Sequence, residues 1–197
     1  MKKKDVMLLV GAGQIGMAIA RRLGYGKKII VSDKSIDNAS KISMCMREAG
    51  FDTLEWQTDI ASRESILQLL AKAQEYGDIS DLINAAGVSP SQASIQTILN
   101  VDLYGTAVLL EEVGKVIKKG GAGVTISSQS GHRMEALGAK ADEQLATTPV
   151  NELLDLEILQ ERNIKDTLHA YQLAKRCNVK RVMAEAVKWG KRGARIN

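Results

Sequence analysis

Apolar positions along this chain come in two alternating patterns. Residues 6–10 are continuously apolar, and Ile15, Ile19 and Leu23 then recur at helical spacing, so a buried strand runs through Gly11, Gly13 and Gly16 straight into a helix. A second apolar run, residues 28–32, ends in Asp33, after which Ser35 or Asp37 can cap a helix reaching Ala49, with Ile42, Met46 and Ala49 on one face and Gly50 as its stop. Residues 51–57 read as a third strand that delivers Asp59. Ser62 caps the next helix, in which Ile66, Leu69, Leu70 and Ala73 keep helical spacing up to Gly77. A fourth strand over 81–86 closes at Gly87. The spacing of Ile98, Val101, Leu109, Leu110, Val113 and Ile117 then predicts a long helix over 95–118, which Gly120, Gly121 and Gly123 break before a fifth strand at 124–127. Residues 131–163 lack strand character and hold two short helical candidates, 140–146 and 151–160. A last long helix covers 164–189, and 194–197 begins a sixth strand.

Strand and helix alternate throughout, which implies an α/β fold: a doubly wound parallel sheet, covered on both faces by right-handed crossover helices. The expected strand order is 3-2-1-4-5-6, with a ligand crevice at the carboxyl ends of the strands, where Asp33, Asp59, 84–87 and 127–131 all fall. With 197 residues and 45% hydrophobic content, one domain over 1–197 is expected, with 131–163 as an insertion.

Charge adds little. The formal +4 owes something to Lys2, Lys3 and Lys4 and to Lys188, Lys191, Arg192 and Arg195 at the other end, and only 4% of residues are aromatic, so a nucleic-acid partner is not expected. Cys45 and Cys177 can form neither a metal cluster nor a C-x-x-C pair, and both fall in helical patterns, so they are expected to pack as small apolar groups in a reducing compartment. The first apolar run is too short for a signal sequence or a membrane span. A cytoplasmic protein with no membrane partner and no metal is the expectation.

The chemistry lies at two places. Gly11, Gly13 and Gly16 form G-x-G-x-x-G between a strand and a helix, which leaves the free N–H groups of the helix start facing an anion such as a pyrophosphate. Asp33, about twenty residues on, would accept hydrogen bonds from a ribose diol. In the last helix, Tyr171 and Lys175 are four residues apart on one face. An ammonium beside a phenol favours the phenolate, which lets the hydroxyl exchange a proton with a carbonyl or alcohol. Ser128 could hydrogen-bond the same oxygen. Taken alone, Y-x-x-x-K is more often an incidental pair on an ordinary amphipathic helix.

The glycine turn, Asp33, Thr58-Asp59-Ile60, Asn84-Ala85-Ala86-Gly87, Ser127-Ser128, Tyr171-x-x-x-Lys175 and Arg195-Ile196-Asn197 stand in the order of the short-chain dehydrogenase/reductase family, which the chain resembles over essentially its whole length. The resemblance implies hydride transfer between a nicotinamide cofactor and a small alcohol or ketone. It makes Tyr171 the acid/base, Lys175 its tuning group and the holder of the nicotinamide ribose, and Ser128 the hydroxyl that orients the carbonyl. It implies a cofactor-binding set of Gly11, Gly13, Gln14, Ile15, Gly16, Asp33, Lys34, Asp59, Ile60, Asn84, Ala85, Ala86 and Gly87 together with Tyr171 and Lys175, Asp59 meeting the adenine amino group. NAD is implied in preference to NADP, because the Asp33 carboxylate would repel a 2′-phosphate. A homodimer through helices 95–118 and 164–189 resembles the family's four-helix contact.

The chain departs from the family's pattern in several ways. Its glycine turn is one residue shorter than usual. Where the family places a catalytic Asn, Asn-Val-Asp-Leu-Tyr-Gly puts Asp102, with Asn100 two residues earlier, and an Asp could hold a water in the proton relay or break it. Segment 131–163 separates Ser128 from Tyr171 and is expected to act as a lid or subunit contact, or simply to form a surface excursion. The family usually continues past the sixth strand to a substrate loop, a further helix and a seventh strand, whereas this sequence stops at Asn197, so a C-terminally truncated member is expected, whether naturally truncated, frameshifted or an incomplete sequence. The alternative function is therefore a truncated NAD-binding module with little or no catalysis.

Overall fold

Strands form where the sequence is most uniformly apolar. In the computed structural model, which describes residues 4–197, β1 (Val6–Val10) is buried at every position. That is what a central parallel strand requires, with neighbours on both edges and helices on both faces. Lys2 and Lys3 lie outside the described residues. After α1 (Gln14–Leu23), β2 (Lys28–Asp33) pairs with β1, and after α2 (Ile36–Glu48), β3 (Asp52–Gln57) pairs with β2. The chain then crosses over through α3 (Arg63–Tyr76) to β4 (Ile79–Asn84) on the other side of β1, and continues through α4 (Ile95–Ile98), a π-helical stretch (Leu99–Gly105) and α5 (Thr106–Val116) to β5 (Ala122–Thr125). The elements α6 (Ala139–Thr147), α7 (Thr167–Lys191) and β6 (Arg195–Ile196) follow. The sheet has six parallel strands in the order β3-β2-β1-β4-β5-β6, the predicted arrangement.

The predicted caps form in two helices: Ser35 accepts from the Asn38 N–H, and Ser62 from the Ser65 N–H. All four predicted core positions of α3, Ile66, Leu69, Leu70 and Ala73, are buried. In α2 the buried stripe is instead Ala39, Ser43 and Met46, while Ala49 is exposed. Ser43 can go inside because its hydroxyl is partnered by Thr53 and Glu55 on β3. Strands β4 and β5 each begin two residues earlier than the pattern indicated, since Ile79 and Ser80 already run beside β1 and Gly123 already pairs with Leu82. Cys177 is buried, and burial pushes its thiol up to about 12; Cys45, expected to pack inside, is exposed on α2.

Segment 131–163 is part of the main core. Its α6 carries buried Leu145, and where a second α-helix was expected the chain makes three short 3-10 turns, Val150–Asp155, Glu157–Leu159 and Glu161–Asn163, that bury Val150, Leu153 and Leu159. Polar ties fix it to α7: Arg176 donates to both oxygens of Asp142 at 2.6 Å each, and Arg181 donates to the Thr148 carbonyl. The segment is thus not a surface excursion. Between α5 and α7 a separate surface pocket is lined by Glu111, Lys115, Lys188 and Arg192. Among the described residues, no helix is long and apolar enough to cross a membrane, and no cluster of three or more His, Cys, Asp or Glu is placed to hold a metal ion.

Candidate active site

Two features adjoin at the carboxyl edge of the sheet. The first is a cleft of about 330 Å³ at the ends of β1 to β4, lined by Gly11, Gly13, Asp33, Asp59 and Gly87 among others. Sterics explain the glycines. A Cβ on Gly11 would lie 2.4 Å from the Ala86 nitrogen, and its φ of 92° is in the left-handed region that favours glycine. On Gly16 a Cβ would press the Leu9 side chain at 2.6 Å, so this glycine sets how closely α1 sits on β1. On Gly13 a Cβ would meet nothing within 4 Å, which means that the backbone there faces open cleft. Helices α2, α3 and α7 are each capped by a side chain, but α1 starts at Gly13 with no side-chain cap and no acidic residue in its first turn. Its positive end is open to an anion such as a diphosphate.

Asp33 braces this turn. Its carboxylate accepts from the Ala12 N–H and the Ser35 N–H, both at 2.9 Å. Asp59 accepts from the Ala61 N–H at 3.0 Å and sits 2.9 Å from the Lys34 ammonium, an ion pair joining the ends of β2 and β3. Burial works to raise the Asp59 carboxyl, but Lys34 and the Ala61 N–H outweigh it and hold it below the usual carboxylate range.

The second feature is a buried pair behind the cleft wall. Lys175 on α7 is 5% exposed and Asp102 on the π-helical stretch 0%. Lys175 Nζ is 4.0 Å from Asp102 Oδ2 and 5.2 Å from the centre of the Tyr171 ring. Asp102 Oδ1 accepts from the Val88 N–H at 2.9 Å, while Oδ2 has no hydrogen-bond partner among the described residues. Burial pushes the Asp102 carboxyl up and the Lys175 ammonium down, and each group's charge opposes the other's shift. Gly87 joins the two features: it lines the cleft, and a Cβ on it would come within 2.9 Å of Asp102 Oδ1 and 3.3 Å of Lys175 Nζ. The wall between cleft and pair is one glycine thick.

Asp102 lies on the π-helical stretch, where Leu99, Asp102, Leu103 and Gly105 face inward, and Gly105 packs where a Cβ would lie 2.7 Å from the Ile60 carbonyl. Asn100 lies on the outer side, accepting from Gln96 at 3.1 Å. Ser128 caps a short 3-10 turn, Gln129–His132, accepting from the Ser130 N–H at 3.2 Å. Its neighbour Ser127 donates to the Lys175 carbonyl at 2.9 Å, and a Cβ on Gly131 would lie 2.7 Å from the Arg176 nitrogen. The turn that carries Ser128 is therefore clamped onto α7 at Lys175.

The short chain dehydrogenase family model matches residues 5–140. The short-chain dehydrogenase/reductase bsc3 of Alternaria brassicicola is 35% identical over 195 residues, covering 98% of this chain and 71% of that protein. The chain belongs to the short-chain dehydrogenase/reductase family. A further relative, the cis-4-hydroxycyclohexanecarboxylate dehydrogenase of Sinomonas cyclohexanicum, is 25% identical over 136 residues, 64% of this chain and 54% of that protein. The chain thus spans about half the length of that relative. Among solved structures, a 7 alpha-hydroxysteroid dehydrogenase in complex with NADH and 7-oxo glycochenodeoxycholic acid superposes with a TM-score of 0.73 at 18% identity, covering 98% of this chain and 68% of that one. This likeness shows the shared fold.

Of the residues expected at the site of this family member, Gly11, Gly13, Asp33, Lys34, Asp59, Ile60, Ala85, Ala86 and Gly87 line the cleft. Gln14 and Ile15 stand on the exposed start of α1, and Gly16 is buried beneath it. Asn84 is also buried, donating to the Thr106 hydroxyl at 3.3 Å. Asn38, Val88 and Val101 line the cleft as well without having been expected there, and so does Thr58, named only as part of Thr58-Asp59-Ile60. Thr58 stands next to Asp59 and Val88 next to Gly87, so adjacency was the available signal. Asn38 and Val101 needed the helix registers.

Proposed function

We propose that the chain is an NAD-dependent oxidoreductase interconverting a small alcohol and the corresponding ketone, with Tyr171, Lys175, Ser128 and Asp102 as its machinery. The observation that carries this reading is the shared wall at Gly87, which sets the cleft with its glycine turn against the buried Lys175 and its neighbour Tyr171. The glycine turn and the uncapped start of α1 would hold the diphosphate. Asp33 supports NAD over NADP, since a second anion beside its carboxylate is disfavoured. A relative named for its action on cis-4-hydroxycyclohexanecarboxylate supports the substrate class. The two unpaired cysteines fit a reducing cytoplasm.

When bound, the nicotinamide supplies or accepts the hydride. The residues handle the proton. In reduction the Tyr171 hydroxyl gives its proton to the carbonyl oxygen, and in oxidation it takes the proton from the alcohol. Ser128 would hold the same oxygen in line, and Lys175 places a positive charge behind the ring of Tyr171. Substituting Tyr171 by Phe removes the transferable proton and leaves the cleft intact. We expect Y171F to lose about 10²-fold or more in turnover of a ketone panel while NADH affinity, read by fluorescence titration, stays within about twofold. A native chain that binds NADH yet reduces none of the panel supports the alternative of a cofactor-binding module without catalysis.

A further inference from the structure

Lys175 is a cation enclosed in the protein, and the group that faces it from the π-helical stretch is Asp102, with side chains 6% and 0% exposed and 4.0 Å between charged atoms. An ammonium without a counter-charge in such a place gives up its proton. The other charged or titratable groups on elements packed against α7 are committed elsewhere or exposed. Asp142 of α6 takes Arg176 and Lys180. Glu111 and Glu112 of α5 take Arg63 and Lys115. Lys140 and Glu143 of α6, His132 of the 3-10 turn and Arg195 of β6 are exposed, α4 carries no titratable side chain, and Tyr104 is the other titratable group of the π-helical stretch. Tyr171 stands one turn before Lys175 on α7 itself.

We propose that Asp102 is the counter-ion that keeps Lys175 an ammonium behind the cleft wall, making it a positioning residue that acts on the Tyr171–Lys175 couple through charge. This rests on reading Tyr171 and Lys175 as the proton-handling couple. An asparagine would fill the same space and still offer an oxygen to the Val88 N–H, but it would bring no charge. The carboxylate at 102 turns a lone buried cation into a neutral pair. Its unpartnered Oδ2 is the oxygen that faces Nζ. Removing the proton from Lys175 then strands a buried carboxylate, so the proton is held to higher pH than burial alone would allow.

Carbon-13 labels at lysine Cε and aspartate Cγ follow both titrations in the full chain by NMR, without cofactor or substrate, the Lys175 signal being identified by its absence in K175M. In D102N the Lys175 midpoint is expected to fall by about one pH unit or more. Where turnover is measurable, the alkaline limb of kcat/KM falls with it. An unchanged Lys175 midpoint overturns the proposal. If D102N does not fold, the native chain decides: its Lys175 signal shows a smaller second step at the midpoint of the Asp102 carboxyl, and a signal without that step overturns the proposal. A Lys175 that behaves as stated in a chain that binds no NADH and reduces no ketone upholds the counter-ion and overturns the proposed function.

Discussion

Asp142 ties the 131–163 segment to the long helix with one carboxylate, shared between Arg176 at 2.6 Å and Lys180 at 3.1 Å. The two-pronged bond from Arg176, against the opposing effect of burial and with help from Lys180, holds the Asp142 carboxyl below its ordinary 3.8. A depressed folded pKa means that the stabilisation is fully present above the unfolded value and lost as pH falls through the folded one. D142N is therefore expected to reduce unfolding free energy by about 1–2 kcal/mol near neutral pH. The gap between variant and native chain should close in strong acid. Urea melts at a series of pH values measure it, and a gap that widens on acidification contradicts the assignment. Residues whose role is set locally were the easiest to read: Gly11, Gly13 and Gly16 announce themselves because a Cβ is excluded or unwanted at fixed spacing. Cys45 was misplaced because α2 lies against the sheet on a stripe that includes a serine, and only the hydroxyl partners on β3 reveal why.

At the scale of elements, periodicity succeeded where helices are regular and failed where they are not. The run 95–118 was legible as one helix, yet its middle, which carries Asp102, is π-helical. No simple repeat of apolar residues encodes these wider turns, which end at Gly105, packed where a Cβ would lie 2.7 Å from the Ile60 carbonyl. The 3-10 turns of 150–163 escaped for a related reason. Their apolar residues are spaced by packing on the core, and short turns impose no long period. Leu153, fully buried in this segment, tests whether it is structural. A leucine in a true core costs about 2–5 kcal/mol when cut to alanine, whereas one in a detachable flap costs far less. L153A is expected in the upper range, by chemical denaturation, and a loss below about 1 kcal/mol would show that the segment docks only weakly.

For the whole molecule, alternating strand and helix runs were enough to give the strand order, because a right-handed crossover leaves few alternatives. The same order brings the cleft to the point where the chain reverses direction across β1, with β2 on one side and β4 on the other. Four strand ends line that cleft, so a ligand seated there bridges β1, β2, β3 and β4 and must stabilise the fold as a unit. The gain follows from mass action: a ligand at a hundred times its Kd adds about 2.7 kcal/mol. For a chain of this size each kcal/mol moves Tm by about 2–4 °C. NADH at that excess is thus expected to raise Tm by roughly 5–10 °C. NADPH at the same concentration should raise it by less, because its extra phosphate would meet the carboxylate of Asp33, and Lys34, which lines the cleft beside it, is already paired to Asp59. Equal shifts from the two cofactors would remove the discriminating role of Asp33. A chain whose melting neither cofactor moves would remove the cleft as a dinucleotide site altogether.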